Sequence, residues 1–263
     1  MEGKPRLPMH GNEKIRLSVV LIAHNEEANI ETMIRGLLGG YSSEIRQMII
    51  VDDASSDKTQ DVVRSLISED SRILLIAKGS PCGAGRALTI GVRSVDPQAT
   101  HVLMMDSDFL PNIQEVKNLL HCVCEGYDGA IGSRFIGGWR LSHYPFLKLV
   151  FNRVFHLCTK WLIGLPCRDL TNNFKLYRRE MLRTIPWVSP GFAINAETGI
   201  FPILAGYRMK EVPVSWKQRS AGVSKFNLFR DGPGYARILI LALRKKRQWG
   251  SLKKENGVVK VAE

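Results

Sequence analysis

Short, uniformly apolar runs alternate with amphipathic stretches along the first half of the chain. Residues 17–23, 47–51, 72–77 and 101–105 are dominated by Val, Ile, Leu and Met. Runs this short, with no apolar–polar alternation, predict strands buried on both faces. Between them, residues 27–38, 57–68, 83–95 and 113–125 repeat apolar side chains at helical spacing. The first of these helices stops at Gly39-Gly40, and Ser55 or Ser56 is placed to cap the second. Residues 127–132 read as a fifth strand. Alternation of this kind predicts an α/β fold, Rossmann-like, with a mostly parallel central sheet, flanking helices and right-handed crossovers. Ligands of such sheets bind beyond the carboxyl ends of the strands.

The pattern changes in the second half. Residues 144–165 are mostly apolar with interspersed cations, 169–177 are polar and aromatic, and 209–216 read as a strand containing Pro213. Residues 235–243 form a short apolar helix running into Arg244-Lys245-Lys246-Arg247. There is no internal repeat. Residues 1–16 are polar, with Pro5, Pro8 and Gly11, and read as a flexible leader without signal-peptide character. The domain plan is therefore a leader over 1–16, one α/β domain over 17–230, an amphipathic basic helix over 231–250 and a disordered tail over 251–263. No apolar run reaches the ~18 residues of a membrane-spanning helix, which predicts a soluble or peripheral protein.

Charge narrows the list of partners. Lys and Arg number 37 against 25 Asp and Glu, giving +12. Such a field favours phosphate-bearing substrates, acidic membranes or nucleic acid. Nucleic acid is disfavoured, because no recognised motif is present and carboxylates occupy the strand ends where phosphates would sit. The five cysteines are odd in number and form no CxxC pair, which fits a reducing cytosol and neither a disulfide framework nor a zinc site.

Three predicted strand ends carry polar clusters: His24-Asn25-Glu26, Asp52-Asp53 and Asp106-Ser107-Asp108. Two carboxylates one residue apart at a strand exit can face one ligand. Mg²⁺ typically takes one or two carboxylates plus substrate phosphates. An Asx-type turn ahead of Pro111 would explain the same residues. Within Asp52-Asp53-Ala54-Ser55-Ser56-Asp57, one acid could accept hydrogen bonds from a nucleobase, and helix capping accounts for others. Gly83-Ala84-Gly85 follows the third strand and lacks a third glycine, which disfavours a dinucleotide fold. Its backbone N–H groups could still approach a phosphate or ribose. Lys148, Asn152, His156 and Lys160 recur every four residues, forming one polar stripe on an otherwise apolar helix. That suits an interfacial helix with polar groups aimed at a phosphate, or an ordinary amphipathic core helix. The loop from Arg219 to Lys225, with Gly222 inside it, could close over an anion or be plain surface.

These residues resemble the family 2 glycosyltransferases, and within them the dolichol-phosphate (polyprenyl-phosphate) mannose synthase group. The resemblance runs from about Leu17 to Lys225. It rests on Asn25-Glu26-Glu27, Val51-Asp52-Asp53-Ala54-Ser55, Asp106-Ser107-Asp108 and Gly132-Ser133-Arg134-Phe135. It continues through Asp169-Leu170-Thr171-Asn172-Asn173-Phe174-Lys175-Leu176-Tyr177, Glu211-Val212-Pro213-Val214 and Arg219 with Gly222, Ser224 and Lys225. The resemblance implies a GT-A fold and an inverting transfer from a nucleoside-diphosphate sugar, GDP-mannose foremost, to a polyprenyl or dolichyl phosphate. It implies that Glu26 and Asp53 hold the base, with Ile22, His24 and Val51 lining its pocket. Asp106 and Asp108 would serve Mg²⁺ or Mn²⁺ and the diphosphate, beside Ser107. Arg134, Arg219 and Lys225 would bind donor or acceptor phosphates, with Lys148 and Asn152 at the acceptor phosphate. Asp106, Asp108, Arg134 and Arg219 are thus the candidate catalytic residues. Three positions depart from the family pattern: His24 replaces a usual Tyr, Ile22 a common Pro, and Leu110 a Gln that often helps hold the metal.

A phosphate monoester has a second pKa of about 6, so such an acceptor is mostly ionised at neutral pH. It needs positioning and charge screening more than a general base. The basic 244–247 cluster and the 144–165 helix would dock the enzyme peripherally on the cytoplasmic face of a membrane, with a separate membrane subunit as a possible partner. One alternative is a family 2 transferase using another donor sugar or a saccharide acceptor, for which Asp169 is a candidate base. Another is a catalytically degenerate nucleotide-sugar-binding protein.

Overall fold

A computed structural model describes residues 14–137, 141–142, 144–217 and 227–255. The first half follows the predicted alternation: β1 (Leu17–Ala23), α1 (Ile30–Gly40), β2 (Ile45–Asp52), α2 (Thr59–Glu69), β3 (Ile73–Ala77), α3 (Ala84–Arg93) and β4 (His101–Asp106). A 3₁₀ turn over Leu110–Glu115 leads into α4 (Val116–Cys124) and β5 (Gly129–Ser133). The second half adds β6 (Leu141–Ser142), α5 (Phe146–Cys158), β7 (Lys175–Arg178), α6 (Ile194–Leu204), β8 (Met209–Pro213), β9 (Trp216–Lys217) and α7 (Leu228–Glu255).

Seven strands form one sheet in the order β3-β2-β1-β4-β7-β5-β8, and β6 pairs with β9 separately. β1 to β4 are mutually parallel, as β5 is to β8, and only β7 among the sheet's strands runs antiparallel to its neighbours. Helices cover the sheet through two large apolar clusters, one around Leu21, Ile34, Met48 and Leu103, the other around Val20, Ile49, Val51 and Met104. A third joins α5, α6 and α7 through Phe155, Ile200, Tyr235, Ile238 and Ala242.

The reversed direction of β7 matters for function. Its first residue lies near the carboxyl end of β4, with Lys175 opposite Met104. Residues 169–173 are therefore delivered to the rim that carries Asp106.

Three elements differ from the sequence reading. The second helix is not capped by Ser55 or Ser56. Ser55 donates its hydroxyl and its N–H to Asp52 within the turn, and the Ser56 N–H goes to Asn25 Oδ1, tying the turn to the end of β1. The predicted 113–125 helix begins as a 3₁₀ turn that starts beside Pro111. The last helix is far longer than 235–243 and runs to Glu255, into the segment expected to be disordered. Among the described residues no helix is long and apolar enough to cross a membrane.

Candidate active site

A cavity of about 820 Å³ opens at the carboxyl ends of β1, β2 and β4. It brings together Ile22, His24, Glu26, Asp53, Asp106, Ser107 and Asp108 from the three strand ends. Three chain segments far apart in sequence thus converge because their strands are adjacent and parallel.

The two neighbouring aspartates at the end of β2, Asp52 within it and Asp53 just beyond, divide the work. Asp52 is fully buried and accepts hydrogen bonds from Ser55 and from Gln60 Nε2 (2.7 Å), which fixes the turn. Asp53 lines the cavity and accepts the N–H groups of Cys82 (2.6 Å) and Gly83 (3.0 Å). Its carbonyl lies 2.5 Å from His24 Nδ1, so that nitrogen carries the proton and donates it. Val51, expected in the base pocket, lies wholly inside the second apolar cluster and is not among the cavity-lining residues.

Asp106 and Asp108 both face the cavity. The Ser107 side chain turns back and donates to the Ile22 carbonyl (2.9 Å), tying the triplet to β1. Asn173 Nδ2 donates to Asp106 Oδ1 (2.7 Å), which fixes that carboxylate from the β7 side. Among the described residues no three His, Cys, Asp or Glu side chains cluster to enclose a metal ion. Two hard oxygen donors on an open rim instead fit a cation completed by substrate phosphates and water, the usual Mg²⁺ arrangement. Leu110 packs against the first apolar cluster and is not among the cavity-lining residues.

Cys82, Gly83 and Ala84 line the cavity, but most N–H groups of this loop are bound within the protein. The N–H groups of Gly85 (3.0 Å) and Arg86 (3.2 Å) donate to the Pro190 carbonyl, and those of Cys82 and Gly83 to Asp53. The glycines instead permit contact between backbones. A Cβ on Gly85 would lie 2.0 Å from the Ser189 carbonyl oxygen. Gly85→Ala is therefore expected to cost at least about 2 kcal/mol, the scale of forced overpacking, seen as a drop in thermal midpoint. An unchanged midpoint would contradict the packing described.

Residues 188–193 and the start of α7 form the opposite wall, with Arg230 and Arg237 among the lining residues. The sequence reading missed them, because neither belongs to a motif. Buried Glu197 holds the 188–193 loop by accepting the N–H groups of Val188 and Ser189, both at 2.9 Å. Tyr235 locks α7 onto it by donating to the Phe192 carbonyl (3.0 Å).

A second polar cluster lies outside the cavity lining. Buried Asp169 takes three hydrogen bonds from Arg134: from the backbone N–H (3.0 Å), Nε (2.7 Å) and Nη2 (2.8 Å). Burial alone would raise the Asp169 pKa, but the adjacent guanidinium holds it below the usual carboxylate range. Asn152 is buried and donates to Thr171 Oγ1 (2.7 Å). Lys148 lies on the same helix and is not among the cavity-lining residues. Of the polar stripe, Asn152 and His156 point inward and Lys160 is exposed. His156 Nδ1 donates to the Asn152 carbonyl (2.7 Å), while Nε2 accepts the Leu170 N–H (2.7 Å). Arg219 and Lys225 lie outside the described residues.

Burial lowers the pKa of His156, and of His101, to about 4. Unfolding lets both take up protons below their ordinary value of about 6.5, so the unfolded state binds more protons between pH 6.5 and 4. Stability should be intact above pH 6.5 and fall by up to about 3 kcal/mol per histidine as pH drops toward 4. Chemical denaturation across that range, with His156→Asn as comparison, measures it. An equally steep fall in the variant would contradict the assignment to His156.

The glycosyl transferase family 2 model matches residues 18–185, well over half the chain. The chain belongs to glycosyltransferase family 2. Among curated relatives of this family 2 transferase, a polyprenol monophosphomannose synthase from Mycolicibacterium smegmatis is 28% identical over 217 residues, covering 81% of each chain. A dolichyl-phosphate hexose transferase from Haloferax volcanii is 26% identical over 231 residues, covering 88% of this chain and 95% of the relative. The fold is that of a solved glucosyl-3-phosphoglycerate synthase from Mycobacterium tuberculosis in complex with Mn²⁺, uridine diphosphate and phosphoglyceric acid. It superposes with a TM-score of 0.66 at 20% identity, covering 90% of this chain and 81% of that one. The family 2 transferase thus has the α/β GT-A architecture expected of it.

Proposed function

We propose that this enzyme transfers a hexose, mannose foremost, from a nucleoside-diphosphate sugar to a polyprenyl phosphate. The observation carrying this is the single cavity in which Glu26 and Asp53, the Asp106–Asp108 pair and the arginines of α7 meet. Relatives named for polyprenol or dolichyl phosphate over most of their length support the acceptor class.

Glu26 and Asp53 stand at the base end of the cavity, and the His24 ring, tied to the Asp53 carbonyl, forms its side. Asp106 and Asp108 would hold a Mg²⁺ or Mn²⁺ ion, which when bound neutralises charge on the departing diphosphate. Asn173 keeps Asp106 oriented for that task. Arg237 faces the same space and adds positive charge for the diphosphate, while Arg230 there is ion-paired with Asp231 at 3.1 Å. The acceptor oxygen attacks the anomeric carbon in line, with inversion, and the nucleoside diphosphate leaves. The acceptor is already ionised, so no side chain has to remove a proton. Asp169 supports this reading over a saccharide acceptor: its carboxylate is buried and committed to Arg134, so it does not serve as a general base.

The exposed apolar face of α5 and the basic stretch 244–247 of α7 give a peripheral route to a lipid acceptor, as read from the sequence. The Nζ of Lys246 lies near Gly164, at the end of the turn that follows α5, so the two features are neighbours. The test is a donor screen. GDP- and UDP-linked sugars are incubated with Mg²⁺ or Mn²⁺ and a short-chain polyprenyl phosphate, and sugar in the lipid fraction is counted. Transfer from one donor to the prenyl phosphate is expected. Donor-dependent transfer to saccharides alone, or no transfer from any donor, would overturn the proposal.

A further inference from the structure

Lys175 is wholly buried on β7, and the needs of the surrounding backbone do not account for it. Its Nζ donates to the Asn195 carbonyl (2.5 Å) and to Thr198 Oγ1 (2.9 Å), both in the opening turn of α6. Both contacts are to neutral oxygens. Burial lowers its pKa to about 7, against the opposing pull of Asp169 and Asp106. Burying an amine in this way is costly, and an unbranched apolar side chain such as Met would fill the space without that penalty. Its neighbour Tyr177 makes the contrast. Tyr177 is also wholly buried and donates to the Thr198 carbonyl (2.9 Å). Four residues after Thr198 stands Pro202, which has no N–H, so the Tyr177 hydroxyl supplies the bond that the helix cannot. Lys175 repairs no such gap, because the Asn195 carbonyl already receives the Thr198 hydroxyl (3.2 Å). Natural sequences break local consistency of this kind chiefly at functional sites.

Its place between two walls of the cavity says which function. Two residues before it, Asn173 fixes Asp106 on the cavity rim. In the turn that Lys175 holds, Glu197 fixes Val188 and Ser189, and the lining residues Phe192 and Ala193 run directly into α6. One side chain thus joins the strand beside Asp106 to the helix that carries the facing wall. Ile194, Ala196, Ile200 and Phe201 seat α6 in the apolar clusters. Apolar contact is non-directional, whereas hydrogen bonds fix an orientation. Tyr177 orients the same helix from two residues farther along β7, away from the rim.

We propose that Lys175 is a positioning residue for sugar transfer, fixing the wall over 188–193 relative to Asp106 so that the reacting end of the donor is held for attack. This rests on the transferase reading above. Lys175 touches no substrate and acts through α6. Glu26 and Asp53, at the base end of the cavity, stand beyond the ends of β1 and β2 and lie outside this connection. Loss of Lys175 therefore reaches turnover and leaves nucleotide binding in place.

Lys175→Met and Tyr177→Phe are compared with the wild type by thermal midpoint, by affinity for GDP and UDP with Mn²⁺, and by kcat for transfer to a short-chain prenyl phosphate. The methionine variant should melt within about 2 °C of the wild type or above it, since a buried charge is replaced by an apolar chain. Its nucleotide affinity should stay within about threefold, while kcat falls about 10- to 100-fold, the scale of a small misplacement at a reacting centre. Tyr177→Phe should do the reverse, lowering the midpoint and keeping kcat within about threefold, because it orphans a buried carbonyl. An unchanged kcat in Lys175→Met would overturn the proposal. A midpoint lowered as far as in Tyr177→Phe would overturn it too, by making Lys175 a structural tie. Nucleotide affinity falling in step with kcat would assign Lys175 to donor binding and overturn it equally. A wild type that transfers no sugar overturns the proposed function itself, and this proposal with it.

Discussion

Replacing Asp108 with alanine is expected to lower sugar transfer by at least about a thousandfold, with the thermal midpoint nearly unchanged. The carboxylate sits on the cavity rim beside Asp106 and Ser107. Its removal takes away one of the two oxygen donors through which a cation would reach the diphosphate. The leaving group then departs with its charge unscreened, and losses of a single electrostatic partner at a reacting centre run to about 10²–10³-fold. Losing the cation as well takes the effect to the upper end or beyond. Asp106→Ala should behave alike in activity but also release Asn173, whose amide it holds at 2.7 Å. A variant of Asp108 retaining a tenth of wild-type activity would remove the pair from the chemistry.

The second large effect is on stability. Asp169→Ala is expected to cost about 3–5 kcal/mol, because it leaves Arg134 buried without its counter-charge. The cause is specific: Asp169 is 0% exposed and receives three hydrogen bonds from Arg134. For a chain of this size that is a fall of about 10 °C in thermal midpoint. Loss of activity in this variant therefore reports folding and gives no evidence for a general base. The paired replacement Arg134→Met with Asp169→Leu should recover much of the stability, since neither charge then remains buried. If Asp169→Ala unfolds at the wild-type temperature, the buried pair described here is wrong.

The contrast between Asp108 and Asp169 shows what the sequence could reveal. Strands β1 to β4 were legible because burial on both faces leaves uninterrupted apolar runs. The polar residues that end them then fall on one rim by the geometry of a parallel sheet. β7 and α6 were not legible. β7 contains Lys175, wholly buried, with Nζ donating to the Asn195 carbonyl (2.5 Å) and Thr198 Oγ1 (2.9 Å), and burial lowers its pKa to about 7. α6 carries Glu197, Thr198 and Pro202, all buried. Their polar side chains are satisfied by partners outside their own element, so the local pattern looks like loop.

The same reason hid part of the site. The α7 arginines reach the cavity because Tyr235, Ile238 and Ala242 anchor that helix in the third apolar cluster. The helix also runs through Gly232-Pro233-Gly234, which reads locally as a break. The Gly83–Gly85 pair was visible, but its purpose depended on an unseen neighbour. The Pro190 carbonyl takes the N–H groups of Gly85 and Arg86.

The central claim is that this cavity holds a nucleoside diphosphate through a cation at Asp106 and Asp108. Calorimetric titration of GDP and UDP into the protein, with Mn²⁺ and again after chelation, tests it most directly. Saturable binding of one nucleotide that needs Mn²⁺ and is lost in Asp108→Ala is the predicted result. Equal affinity with and without the metal, or no binding of either nucleotide, would contradict it.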